Sequence, residues 1–155
     1  MQRRRVLGLL AAGVLAGCSM PSMEADPQRA VEAHALYRDL VEGRDDALLA
    51  RMSSANDPAT VRAQLPMIRT FAPPGPAPDP TPLGWNANTS TNGQRYSVAQ
   101  QYEYPDRFVR ADTTFLKEGE AWKVESFNVN ARMKAGAAPS AEAAAEADPS
   151  PSGEP

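Results

Sequence analysis

Cysteine and histidine are almost missing from this 155-residue chain, which holds one of each. A single cysteine excludes an intrachain disulfide framework, and a single histidine leaves few zinc-type ligand sets open. Aromatic residues amount to only 6%, so few large side chains are on hand to fill a core. Basic charge is also short. Sixteen Lys and Arg stand against 19 Asp and Glu, a formal net charge of −3, which excludes a broadly basic nucleic-acid binder. No Gly-x-Ser-x-Gly elbow, phosphate loop or dinucleotide fingerprint occurs, so the motif-borne hydrolase and nucleotide chemistries have no foothold.

Alanine and proline are plentiful, at 27 and 15 residues, and many sit near the two ends. The 42% hydrophobic share therefore describes one modest core. The length suits a single domain.

The front of the chain is patterned. Arg3-Arg4-Arg5 is followed by an uncharged apolar stretch over residues 6–15 and by small residues up to the sole cysteine, Cys18. A cationic n-region, a short h-region and a small-residue cleavage site make a secretory signal. As a helix the apolar stretch spans only ~15 Å, about half a bilayer core, too little for a permanent span. Leu15-Ala16-Gly17-Cys18 resembles the lipobox of bacterial lipoproteins. That resemblance implies cleavage before Cys18, acylation of its thiol and anchoring in a membrane; with no metal-ligand spacing and no nucleotide motif in the chain, no cofactor is expected. A signal peptide over residues 1–17 and a tether over residues 18–25 are thus expected. Ser19 follows the cysteine where an Asp in Gram-negative lipoproteins resembles an inner-membrane retention signal, so the outer membrane is favoured. Arg3-Arg4 suits either the general or the twin-arginine export route. Cleavage would remove three arginines and no acid, taking the net charge from −3 to −6, so acyl chains rather than charge would hold the domain to anionic lipid.

The domain itself is expected over residues 26–132. Asp26-Pro27 is an N-cap followed by Pro at the first helical position, and Ala30, Ala33, Leu36-Tyr37 and Leu40-Val41 recur at helical spacing. Gly43 ends that helix. Asp45 or Asp46 opens a short second one through Leu48-Leu49, and Asp57-Pro58 a third bearing Val61, Leu65 and Ile68, with Pro66 expected to distort it. Residues 72–82 carry six prolines and predict a stiff extended crossover. Thereafter the period changes to two. Strands are expected over residues 83–90, on either side of an Asn92-Gly93 hairpin turn, over 107–117 and over 121–131, with turns at Pro105-Asp106 and Glu118-Gly119. Tyr96, Val98, Tyr102 and Tyr104 share one parity. Trp122 and Val124 have the opposite parity to Phe127 and Val129, which predicts a β-bulge near Ser126 to bring all four to one face. Residues 133–155, built of Ala, Glu, Ser and Pro, predict a disordered tail.

Helices first and sheet second make an α+β fold, N-terminal helices packed on a four-stranded antiparallel meander. This order resembles the cystatin-like and the cone-shaped nuclear-transport-factor-2-like folds. More narrowly, Gly84-Trp85-Asn86-Ala87-Asn88-Thr89-Ser90, Glu120-Ala121-Trp122-Lys123-Val124 and Phe127-Asn128-Val129-Asn130 resemble small bacterial envelope proteins carrying a domain of unknown function from that superfamily, over residues 27–132. That likeness implies no particular activity.

Candidate chemistry is sparse. His34 beside Glu32 is either a packed helical side chain or a base without an evident nucleophile. Ketosteroid-isomerase-like members of the cone superfamily stabilise an enolate with a Tyr and a protonated Asp in an apolar pocket. By position that implies Tyr37 and Asp112 here, with Trp85 and Tyr102 as pocket walls. Asp112, however, shares parity with Arg110, Phe108 and Thr114, where a surface ion pair is expected. Asn86, Asn88, Asn92, Asn128 and Asn130 either cap turns and line a solvated face or form a polar rim for a peptide or glycan. The expectation drawn from all this is a non-catalytic, lipid-anchored, periplasm-facing envelope protein with a protein or small-molecule partner. The rival is a small isomerase-like enzyme using the cone-shaped cavity.

Overall fold

The structure, a computed structural model, describes residues 25–136. Three helices, α1 (Pro27–Val41), α2 (Asp45–Ala50) and α3 (Pro58–Arg69), precede four strands, β1 (Thr81–Ser90), β2 (Gly93–Glu103), β3 (Arg107–Glu118) and β4 (Ala121–Met133). The strands form one antiparallel sheet in the order β1-β2-β3-β4. This is the expected α+β arrangement. The signal peptide, Cys18, Ser19 and all of the tail beyond residue 136 lie outside the described residues.

Local chemistry sets the helix ends. The Asp26 carboxylate accepts from the amides of Gln28 and Arg29 at 2.9 and 3.3 Å, and Asp57 accepts from the Thr60 amide at 2.9 Å, so each satisfies orphan donors of a first turn. At the other end of α1, Gly43 takes a φ of 70°. Its amide bonds to the Leu40 carbonyl, and the Arg44 amide to that of Asp39. This is a Schellman closure, which glycine allows because it has no Cβ. Helix α3 runs through Pro66 without interruption. Its Arg69 donates to the Leu40 carbonyl at 2.8 Å and pairs with Asp45, tying the three helices together.

Sheet register follows the pattern of periods, with shifts of a residue or two. Strand β1 starts at Thr81, so the crossover is shorter than residues 72–82 and Pro82 lies inside a strand. An edge strand tolerates a missing amide, and the ladder is already irregular between Pro82 and Gly84. In the first hairpin Ser90 pairs with Gly93, so Thr91-Asn92 form the loop and Gly93, at φ 109°, opens β2. Asn92-Gly93 is therefore not the loop itself; the positive φ falls on the residue without a Cβ. Likewise Glu118 pairs with Ala121, leaving Gly119-Glu120 as the last loop. Strand β4 continues two residues beyond the expected end, Met133 pairing with Arg107.

The expected bulge is present. Thr114 pairs with Ser126 but Phe115 with Val124, leaving Glu125 as the extra residue. Trp122, Val124, Phe127 and Val129 thereby oppose Lys117, Phe115, Thr113 and Ala111, and share their face. On that inner face Tyr96, Val98 and Tyr102 of β2, Val109, Ala111 and Phe115 of β3 and Val124 and Val129 of β4 meet Ala33, Leu36, Tyr37 and Leu40 of α1, Leu48 and Leu65. Met52 adds a short parallel bridge to Val124 on the free edge of β4.

Candidate functional site

Three surfaces deserve comparison: the inner face under the helices, the outer face of the sheet and a groove beside α3. The inner face contains Tyr37 and Tyr102, both fully buried. Their rings stack at 3.7 Å between centroids and 14° between planes. The Tyr37 and Tyr104 hydroxyls share a hydrogen bond of 2.9 Å. The Tyr102 hydroxyl donates to Gln100 Oε1 at 3.0 Å, and Gln100 Nε2 donates to the Ala30 carbonyl at 2.9 Å. The hydroxyls of Tyr37, Tyr102 and Tyr104 and the Gln100 amide thus each have a partner inside the protein. Burial pushes the Tyr37 phenol well above the ordinary tyrosine range, with the bond to Tyr104 adding to it; burial also raises Tyr102 and Tyr104. These phenols stay protonated and serve the packing of the inner face.

His34 lies half-buried at the edge of this cluster, its ring 5.9 Å from that of Tyr102. Its Nδ1 is buried and carries no hydrogen bond. Burial first, and Arg38 second, lower its basicity, with Asp79 acting in the opposite direction. No carboxylate orients the ring by a hydrogen bond to Nδ1, as a general base would require.

Asp112 stands on the other side of the sheet. It pairs in register with Ala99 and Asn128, and Arg110 holds its carboxylate through both Nε and Nη2 at 2.7–3.1 Å. The whole sheet therefore separates Asp112 from Tyr37 and Tyr102. Trp85 is on the inner face, opposite Val98, but at the uncovered edge of the sheet, 39% exposed and stacked on Tyr96 at 5.6 Å and 6°. Of the four pocket residues inferred from position, the structure brings together only Tyr37 and Tyr102, and it packs them against each other.

The asparagines share a face but stand on the two opposite edges of the sheet. Asn86 and Asn88 of β1 and Asn128 and Asn130 of β4 all point to the outer face, through register with Ser97, Arg95, Asp112 and Arg110. Asn92 is left in the hairpin loop. A bidentate pair from Arg95 to Glu125, with both contacts at 2.7 Å, crosses this face and holds the Glu125 carboxyl below its usual range. Toward the far end, Leu83, Gln101, Phe108, Arg110, Asn130 and Arg132 line a depression of about 440 Å³, where the Arg132 guanidinium lies 5.7 Å from the centre of the Phe108 ring.

The third surface is a groove of about 210 Å³ between α3 and β4. Met52, Val61, Leu65, Ile68 and Phe127 supply its apolar walls, with Asn56, Gln64, Glu125, Ser126 and Asn128 around them. Asn56 Nδ2 is tied to the carbonyls of Val124 and Glu125 at 3.0 and 3.2 Å, so the end of the groove is rigidly placed. An apolar trough with a few fixed amides is suited to holding a ligand by shape and hydrogen bonding. Val61, Leu65 and Ile68 were legible as a helical stripe and Phe127 as a strand residue facing inward. That they would form walls of a trough depends on the tilt of α3, which no local pattern encodes.

Arg29 was not expected to matter. It is buried, paired with Asp26 and Glu32, and its guanidinium lies 5.7 Å from the ring centres of both Phe115 and Trp122. Gln100, by contrast, could have been found, since it shares the parity of Tyr96, Val98 and Tyr102.

Among the described residues no group of three or more His, Cys, Asp or Glu is arranged to hold a metal ion, and no helix is long and apolar enough to cross a membrane. The class that fold and surfaces define is an α+β domain with a packed inner face and recessed surfaces outside it. Comparison with protein-family models, curated proteins and solved structures finds no match to the chain.

Proposed function

We propose that the chain is a lipid-anchored cell-envelope protein that acts by binding, its acyl chains on Cys18 and its α+β domain facing the periplasm, with Ser19 favouring the outer membrane. The observation that carries the anchor is the placement of the only cysteine at the close of the h-region, in Leu15-Ala16-Gly17-Cys18. Acyl chains on that thiol would give stable attachment, each buried CH₂ contributing about 0.8 kcal/mol. Binding is favoured over turnover because Tyr37 spends its hydroxyl on Tyr104, and Asp112 is held by Arg110 on the opposite face. An enolate-stabilising pair needs both groups in one pocket. The surface best suited to a partner is the groove between α3 and β4, which offers a protein segment apolar side-chain room beside fixed amides.

Expression in the source cell tests the anchor. The native chain is expected in the membrane fraction with an acyl-bearing N-terminal peptide, and Cys18→Ser in the soluble fraction. Retention of Cys18→Ser in the membrane would refute the anchor. A photo-cross-linking residue at Gln64 is expected to capture an envelope protein that the same residue at Glu120, in the last hairpin loop, does not.

A further inference from the structure

We infer that the uncovered edge of the sheet beside the start of α1, centred on Trp85, rests against the membrane surface that holds the acyl chains; this rests on the lipidation of Cys18 proposed above. The geometry begins at Asp26. Its amide donates to the Tyr96 hydroxyl at 2.7 Å, so the chain enters the domain at Tyr96. The Trp85 ring is stacked directly on that tyrosine, 5.6 Å between centroids. From Cys18 to Ala25 is eight residues, which reach at most ~29 Å when fully extended. Any shorter path holds this corner of the domain within that distance of the lipid headgroups.

The exposed side chains at that corner suit such a surface. Every residue of β1 except Ala87 is exposed. Among the described residues five large apolar side chains are exposed, and two of them, Trp85 at 39% and Val31 at 68%, stand on the helix side of the sheet at β1 and the first turns of α1, whereas Leu83 of the same strand lines the outer-face depression. Val31 stands between Ala30, whose carbonyl receives Gln100, and His34, which stacks on Tyr102. Indole is favoured at the headgroup level, where its ring meets acyl chain and its N–H meets water or phosphate. The stack on Tyr96 holds the Trp85 ring in place before contact, so little side-chain entropy remains to be lost. A net charge of −6 after cleavage opposes an anionic surface, so zwitterionic headgroups are the fitting partner. A second copy is a poorer occupant of this edge. Pro82 offers no amide, and the bulge between Pro82 and Gly84 breaks the regular row of edge groups that strand addition needs.

The test uses the full lipidated protein with Trp122→Phe, which leaves Trp85 as its only tryptophan, in phosphatidylcholine vesicles with plain or brominated acyl chains. Mass spectrometry first reports whether Cys18 is acylated. The expected result is a Trp85 emission shifted to shorter wavelength, quenched by the brominated chains and protected from acrylamide relative to the soluble Cys18→Ser form. If Trp122→Phe does not fold, the difference between the native chain and Trp85→Phe supplies the same signal. An acylated, vesicle-bound protein whose Trp85 emits and is quenched as in the Cys18→Ser form overturns the contact and leaves the anchor standing. A chain without acyl mass removes the anchor and the contact together. Protection of Trp85 that appears without lipid as protein concentration rises assigns the edge to a second copy, and overturns the inference.

Discussion

At the scale of single residues, the inner face is organised by polar atoms that a hydrophobic core does not call for. Tyr37 contributes a ring stacked on Tyr102 and a hydroxyl bonded to Tyr104. Tyr37→Phe keeps the stack and orphans the Tyr104 hydroxyl, so a loss of about 1–2 kcal/mol is expected in chemical unfolding. Equal stability of the two proteins would show that the pair holds nothing. Strand parity already directs Tyr102 and Tyr104 inward, but the partner of each hydroxyl is unreadable from pattern, since Tyr37 and Tyr104 are 67 positions apart. Arg29 makes the same point in reverse. Helical spacing puts position 29 on the stripe of Ala33 and Leu36, where a charge looks misplaced. The tertiary fold brings two aromatic rings over the guanidinium and pairs it with Asp26 and Glu32, which offsets the cost of its burial.

Among the elements, β4 carries one residue outside its alternation. The bulge at Glu125 lets two apolar pairs of opposite parity share the inner face. Deleting Glu125 would join Val124 to Ser126 in unbroken alternation and leave Trp122, Val124, Phe127 and Val129 on the inner face. The expected loss is about 1–2 kcal/mol, from the pair with Arg95 and the bond of Asn56 to the Glu125 carbonyl, with the near-ultraviolet circular dichroism signal kept. Glu125→Gln keeps the bulge and removes only the partly exposed ion pair with Arg95, so its cost should stay below about 1 kcal/mol. A loss of about 3 kcal/mol or more on deletion, with a diminished near-ultraviolet signal, would mean that β4 needs the bulge itself and not only the shared face. The bulge was legible because the parity conflict within one strand has few other resolutions. The turns were legible to within one residue: glycine marks where φ is positive, but which residues form the loop depends on how the two strands pair.

For the whole molecule, pH exposes how buried and paired groups are distributed. His34 is held below its ordinary value of 6.5 by burial and by Arg38. The unfolded chain therefore takes up that proton first, and its stabilising effect is complete above about pH 6.5 and falls as pH drops through that value. Glu118, which accepts from Ser53 and from the amide and hydroxyl of Ser54, and Glu125, held by Arg95, both lie below their ordinary value of 4.5. Their contribution is present above about pH 4.5 and is lost as pH falls further. Thermal unfolding followed from pH 8 to pH 3 should show two declines, and His34→Phe should flatten the first alone. A first decline unchanged by that substitution would assign it to other groups.

The sequence by itself determined the order of elements, the caps, the bulge and the faces of the strands, because these rest on contacts or periods a few residues long. It also carried the whole case for Cys18 and the membrane, which rests on a motif outside the described residues. Only the tertiary structure decided that Tyr37 and Asp112 lie on opposite faces of the sheet, that the outer asparagines share one face, and that α3 leaves a groove beside β4. Those outcomes depend on how helices lie across a sheet, and that arrangement is set by the packing of distant side chains rather than by local pattern.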